Sequence, residues 1–477
     1  MEGFDLSRPQ NFWFNEIARI PHPSKHEKQL SDFIVNFARE RGLKWKQDEV
    51  WNVIVEKPAS PGYEESAPLI LQAHIDMVPA KVKGSDHNFE TDPLKLYVDE
   101  EGWLHAEGTT LGGDDGHGVA YMLAILDDDE LPHPPLQCFF TTMEEIGLLG
   151  SVEIKPEDVH ADRMINLDGG GETTTGISAA GGCNIYIHKD IEWIPNDKPT
   201  FRMDITGLTG GHSGGQIHLE KGNALVIAAR VIEEAVAKGM DFQLVSFNGG
   251  EKDNAIPRLA NIVFVSDTPE DKIREFFAAT EKSVQTELEF SDKDVKVAEE
   301  PTEKAECFIK DGIDIIDYAY LMPNGFQHRS MAIEGLTLTS LNLGVAITND
   351  KEVWLDTLIR SAMDHAAEDL KDRMELLAKR TNVRFELGNR YSGWNYEPVS
   401  EMREKLRSVV REFGGELTEH AGHGGNECGV FKSKNPKLDI ITFGPIGSGI
   451  HTPEEKLNLE SFEKSFQMLK KLISDCK

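Results

Sequence analysis

Three short runs are apolar without alternation: "PLILQAH" at 68–74, "LQCFFTT" at 136–142 and "RMINLD" at 163–168. They constrain this chain most. A strand that is apolar on both sides must be covered on both sides, which is the condition of strands in the middle of an α/β sheet. The intervening "GVAYMLAILDD", from Gly118, is apolar all round and therefore predicts a buried helix. Together with the strand pattern of "WNVIVEK" at 51–57, these segments predict an α/β layer with a mostly parallel central sheet covered by helices.

Each buried run also ends on polar residues. "QAHID" puts His74 and Asp76 two apart at a strand end, where i and i+2 point to one side. A carboxylate beside an imidazole fixes its tautomer and raises its basicity, a recurring support for a metal ligand. "FFTTMEEIG" delivers Glu144 and Glu145, "MINLDGGG" delivers Asp168, and the glycine-rich "GTTLGGDDGHG" places Asp114 and Asp115 before the buried helix. Each alone reads as a turn residue or a surface acid. Together they fall at the carboxyl ends of strands in one α/β unit, which border the ligand crevice of such sheets. Acids gathered there repel one another unless cations lie between them, so a dinuclear metal site is expected. His451, in the Gly/Pro loop "GPIGSGIHTPEE", is a fifth candidate.

Composition narrows the partners. The net charge of −32 opposes binding to nucleic acid or anionic lipid. No run reaches the ~18 apolar residues of a membrane span, and the first residues lack the order of a signal peptide. The five cysteines are scattered, with no CxxC, so any metal is held by His, Asp and Glu, and a reducing cytoplasm fits.

At 477 residues the chain exceeds one core. The pattern changes near residue 186, which divides it into a first segment 1–185, an inserted α+β domain 186–387 and a second segment 388–477. Ser24 and Glu27 form a capping-box pattern for a helix over 24–42, closed by Gly42. Further helices are expected at 221–239, 270–288, 352–381, 400–413 and 460–471, with strands at "TFRMDITGL", "ANIVFVSD", "TLTSLNLGVAI" and "LDIITFG".

The order "LQAHIDMVP", "GTTLGGDDGHG", "TTMEEIG", "NLDGG", "TGLTGGHSGGQI", "KDNAIPR", "TSLNLG", "ECGVF" and "IHTPEEKLNL" spans nearly the whole chain. It resembles the superfamily of co-catalytic zinc exopeptidases that includes carnosinases, aminoacylases and glutamate carboxypeptidases, and most of all its aminoacyl-histidine (Xaa-His) dipeptidases. The resemblance implies two divalent metal ions per subunit, zinc first, with manganese or cobalt also suited to such ligands. His74 and Asp168 would bind one ion and Glu145 and His451 the other. Asp114 would bridge them, with a cis peptide to Asp115. Asp76 would orient His74, and Glu144 would be the general base. His212 in "TGGHSGG" would be a donor to the tetrahedral oxyanion. Asn254 would lie near the substrate, and Arg329 would pair with a free substrate carboxylate, with Arg258 as competitor. The implied activity is hydrolysis of small peptides of Xaa-His type or broader, by a cytoplasmic homodimer that binds neither nucleic acid nor membrane.

The chain departs from that pattern in two places. Asp115 stands where Asn is usual, which would add negative charge beside the metals. "HAGHGGNECG" carries an inserted "HGG" and has Asn426 for Leu, which puts a strict histidine preference in doubt. An aminoacylase or carboxypeptidase is the alternative on the same scaffold. A non-catalytic metal-binding regulatory protein is the alternative of another class, although neither Glu144 nor any ligand is missing. The acidity suits a calcium buffer, but no EF-hand spacing occurs.

Overall fold

The computed structural model describes residues 3–477. By internal contacts the chain falls into two compact units. One holds residues up to Ala179, Trp394–Ala421 and Asn426–Lys477. The other holds Ala180–Gly393 and the four residues Gly422–Gly425. The joints expected at 185/186 and 387/388 fall inside two strands of the second unit, Gly181–Asp190 and Arg384–Tyr391.

In the first unit, strands β1 (Lys44–Gln47), β2 (Val53–Lys57), β3 (Leu69–His74), β4 (Leu136–Thr141), β5 (Arg163–Asn166) and β6 (Asp439–Thr442) form one sheet in the order β1-β2-β4-β3-β5-β6. The four strands β4, β3, β5 and β6 are mutually parallel, and β1 and β2 are antiparallel at one edge. Every residue of β3 and β4 is buried, as their unbroken apolarity demands. Helices α1 (Pro9–Ala18), α2 (Lys28–Glu40), α3 (Gly113–Asp127), α4 (Glu401–Glu412), α5 (Glu427–Lys434) and α6 (Leu459–Ser474) belong to the same unit. Tyr121 of α3 stacks on Phe462 and Phe466 of α6 within the core. Helix α3 is buried on all sides, as expected, but begins at Gly113 rather than Gly118, with Asp114 and Asp115 out of helical geometry.

The expected capping box does not form. Helix α2 starts at Lys28 and its N-cap makes no side-chain hydrogen bond. Ser24 instead donates its hydroxyl to Asp76 (2.7 Å), and the buried Glu27 carboxylate accepts from Met143 N (3.0 Å). Both residues are used by distant strand ends, where their hydrogen bonds are shielded from water.

The second unit is built on a nine-stranded antiparallel sheet. From one edge it runs Lys296–Glu300, Thr200–Thr206, Ala260–Val265, Gln243–Gly249, Thr337–Thr348, Glu352–Ser361, Gly181–Asp190 and Arg384–Tyr391, with Gly325–Arg329 also paired to Thr337–Thr348. Helices Ala224–Ala237, Glu270–Glu287, Ile313–Leu321 and Asp364–Arg380 accompany it. The helix expected over 352–381 is corrected. Residues Glu352–Ser361 are a strand hairpinned to Thr337–Thr348, and the helix begins at Asp364. Val353, Leu355, Thr357 and Ile359 alternate toward the core, a period of two that the longer helical pattern hides. No helix of the described residues is long and apolar enough to cross a membrane.

Candidate active site

The polar strand ends of the first unit meet. His74, the last residue of β3, is buried, and its Nε2 lies 3.0 Å from Asp114 Oδ1. On its other side Nδ1 lies 3.1 Å from Asp76 O and 3.5 Å from Asp76 Oδ1. His451 Nε2 lies 3.3 Å from Asp114 Oδ2 and 2.9 Å from Glu145 Oε2. Asp114 thus offers one oxygen to each histidine, the arrangement of a bridging carboxylate. The peptide Asp114–Asp115 is cis. Ligand atoms of His74, Asp114 and Glu145 all lie within 4.8 Å of one another, and Asp168 lines the same small cavity as Asp114.

The buried Asp76 carboxylate serves three neighbours besides His74. It accepts from Ser24 Oγ and from the backbone at Glu144 N (2.9 Å) and Glu145 N (3.3 Å). It therefore orients His74 and also the backbone that carries both glutamates. Asn426, the N-cap of α5, accepts from Cys428 N and places its side-chain amide 3.4 Å from Asp168 Oδ2.

The electrostatics follow from this crowding. Burial would raise Asp114, but His451 and His74 outweigh it and hold its carboxyl well below the usual range. Burial would likewise lower His74, yet Asp114 and Asp76 raise it well above an ordinary imidazole. Contacts with Asp114 and Glu145 lift His451 to about 10. Burial, reinforced by Asp168 and Glu427, pushes Glu144 well above the usual carboxylate range. Asp115 lies beside this cluster. Its carboxyl is fully buried, and burial and the Asp114 charge raise its pKa well above the usual carboxylate range against the opposing pull of His74. Its Oδ1 accepts from Gly118 N at the start of the helical part of α3.

These residues fit a divalent-metal pair. The set offers two imidazoles and three carboxylates, borderline-to-hard donors suited to zinc, manganese or cobalt. Glu145 Oε1 is buried with no hydrogen-bond partner, a condition that a cation relieves.

The second unit gathers a different cluster. His212 pairs with Ala255 in a two-residue bridge, and Ser213 N donates to Asn254 O (2.8 Å), so the His212 and Asn254 loops hold one another. His212 Nδ1 accepts from Gly214 N (3.2 Å) and Gly215 N (3.1 Å). With Nδ1 occupied as an acceptor, a neutral ring carries its proton on Nε2 and is a donor there. Burial and the Arg360 charge lower its pKa, which favours that neutral ring.

Arg329 is exposed at the end of its strand, and Arg258 is exposed beside Glu251 (3.5 Å). Sequence reasoning missed Arg360. It is buried, 6% exposed, with its Nε 3.4 Å from Ser213 Oγ, and no ion pair ties its guanidinium among the described residues. Its cross-strand partner Ser340 contacts His423 Nε2 (2.7 Å), so the "HGG" of 423–425 seats His423 in this cluster. Burial and Arg360 lower His423 to about 3. The alternation of 353–359 was the signal that could have placed Arg360 on a strand.

Comparison with known proteins agrees in kind. Residues 70–475 match the model of peptidase family M20/M25/M40. The chain is 35% identical over 476 residues to the cytosol non-specific dipeptidase of Escherichia coli (strain K12), covering 98% of each. It is 34% identical to the crystal structure of the aminoacylhistidine dipeptidase of Vibrio alginolyticus, with a TM-score of 0.86, covering 98% of this chain and 96% of that one. An aminopeptidase PepT from Bacillus cereus ATCC 10987 shares the fold at a TM-score of 0.57 and 15% identity, covering 99% of each chain.

Proposed function

Given that the chain belongs to peptidase family M20/M25/M40, we propose that it is a metal-dependent dipeptidase that uses the cluster at the ends of β3, β4 and β5. The observation that carries this reading is Asp114, with one carboxylate oxygen toward His74 and the other toward His451. His74, Asp114, Glu145, Asp168 and His451 would hold two divalent cations, zinc first. Such cations supply Lewis acidity, polarising a carbonyl and acidifying water.

The chain's own groups do the rest. Asp76 keeps His74 in the tautomer that presents Nε2. Glu144 takes the proton of the attacking water and passes it to the leaving amine, the paired acid–base role of one carboxylate. His212 donates from Nε2 to the developing oxyanion. Arg360, a buried cation without a carboxylate partner, would receive the free carboxylate of the peptide in preference to the exposed Arg329, with Asn254 beside it. Recognition of a terminal carboxylate selects small peptides over folded proteins.

A broad dipeptide range is favoured over strict Xaa-His specificity, because the inserted loop brings His423 into the Arg360 cluster and the Escherichia coli relative is named non-specific. The enzyme is read as a cytoplasmic homodimer, with catalytic segments flanking the inserted domain. Turnover of a dipeptide library, with and without chelator, beside N-acyl amino acids and longer peptides, tests the proposal. Chelator-sensitive cleavage of several dipeptides is expected. Preference for N-acyl amino acids would replace it with an aminoacylase.

A further inference from the structure

We infer that Glu455 is a positioning residue for the metal centre, a single carboxylate that locks the Asp114 turn to the His451 loop. Glu455 is 4% exposed and closely follows His451 in the chain. Its Oε2 accepts from Leu111 N (2.8 Å) and Gly112 N (3.1 Å), and its Oε1 accepts from Gly113 N (2.8 Å) and Asp114 N (3.2 Å). Four consecutive backbone amides thus converge on one side chain that lies 341 to 344 positions further along the chain.

The first amides of a helix have no intrahelical acceptors, and a side-chain cap normally takes one of them. Helix α3 has glycine at its N-cap, Gly112 is left-handed (φ 66°), and the local cap, Asp115, serves Gly118 N further along, so the amides ahead of Asp115 find no local side-chain acceptor. Glu455 takes the amides of Leu111 and the cap Gly112 and the first two of the element, Gly113 and Asp114. A carboxylate facing successive N–H groups is held by charge-assisted hydrogen bonds. The turn it grips carries Asp114, which departs from helical geometry (φ −87°, ψ 108°).

The other end of the tie is equally specific. Glu455 N donates to Thr452 O and Thr452 N to Gly449 O, so the residue closes the loop whose His451 adopts a left-handed φ of 65°. His451 is half exposed, with little packing of its own to hold that conformation. The 3.3 Å approach of His451 to Asp114 therefore depends on a clamp beneath both. Glu455 lines the same small cavity as Asp114 and Asp168, but its carboxylate bonds backbone amides and not their ligand atoms. It acts through the backbone that aims them, the outer-shell role whose loss typically weakens metal binding about 10- to 100-fold.

This inference rests on the metal reading of the site, and the test separates the two. Glu455→Gln keeps size but can accept at only one of its two terminal atoms, and its amide faces donors. Glu455→Asp keeps the charge but is one methylene too short to reach all four amides. Chelated protein, wild type and both variants, is titrated with zinc against a chromophoric chelator, and the thermal midpoint of each chelated form is recorded. The expectation is zinc affinity reduced about 10- to 100-fold in Glu455→Gln and less in Glu455→Asp, with the chelated forms still folded. Wild type that binds no zinc overturns the metal reading. Wild type that binds, with Glu455→Gln binding equally well, overturns the role of Glu455 alone. If Glu455→Gln fails to fold, Glu455→Asp decides: unaltered zinc affinity refutes the clamp, and reduced affinity supports it.

Discussion

Replacing Arg360 with methionine tests the substrate-binding side of the proposal quantitatively. Methionine keeps the long apolar stem and removes the charge. Arg360 is 6% exposed and its one side-chain hydrogen bond, to Ser213 Oγ, is long at 3.4 Å. No carboxylate is stranded by its loss, so the usual penalty of breaking a buried ion pair is absent. The thermal midpoint should therefore hold or rise. Hydrogen bonds to a charged partner contribute about 1.5–3 kcal/mol each, so losing one with a substrate carboxylate lowers kcat/KM about 10- to 150-fold. The loss should be confined to peptides with a free C-terminus. Dipeptide amides, slow in the wild type, should be cleaved at unchanged rates by Arg360→Met. Because Arg360 also depresses His212 and His423, the NMR titration of both rings should move upward in the variant. Equal losses on free and amidated dipeptides would refute the assignment, and a large fall in thermal midpoint would show that the guanidinium is structural.

Glu144→Gln should keep both metal ions by elemental analysis while losing most turnover, since its amide cannot accept a proton; full activity would dismiss it as the base. In the chelated protein both ligand histidines are held protonated near neutral pH, His74 by Asp114 and Asp76 overcoming burial, and His451, at about 10, by Asp114 and Glu145. Metal ligation needs neutral imidazole and ionised carboxylate, and burial and Asp114 also raise the ligand Asp168 well above the usual carboxylate range, so binding at about pH 7.5 should release protons, measured by calorimetry in buffers of differing protonation enthalpy. In the second unit, burial and the neighbouring Asp253 raise Asp356 to about 7. The folded chain then holds a proton that the unfolded chain has lost between pH 3.8 and about 7, so this group's contribution to stability falls as pH rises through that window. Asp356→Asn should flatten that part of the denaturation profile, and an unchanged slope would exclude Asp356 as its source.

What could be read from the sequence was local. Uninterrupted apolarity marked β3, β4 and β5, because strands covered on both faces allow little else, and the polar residues at their ends marked the candidate site. The misreadings share one cause. Ser24 and Glu27 have the spacing of a local cap, but their partners, Asp76 and Met143, come from remote segments. Residues 352–361 contain enough apolar positions to satisfy a helix, and only the hairpin with 337–348 selects period two. Glu455 and Arg360 escaped notice for the same reason: what distinguishes them is the presence of four remote amides in one case and the lack of a carboxylate in the other. Neither is written in neighbouring letters.

The segment Gly422–Gly425 belongs to the inserted unit although the chain on both sides of it belongs to the other. The polypeptide therefore crosses from one unit to the other four times, at 179/180, 393/394, 421/422 and 425/426. A fragment trimmed to 180–393 would lack the imidazole that Ser340 engages, and would bare a polar seam that the intact chain plugs with its own later residues. The inserted unit is thus not a cassette that can be lifted out in one cut. Grafting it onto another host would require a short peptide to be returned from downstream, a second point of attachment that constrains how such a unit can be exchanged.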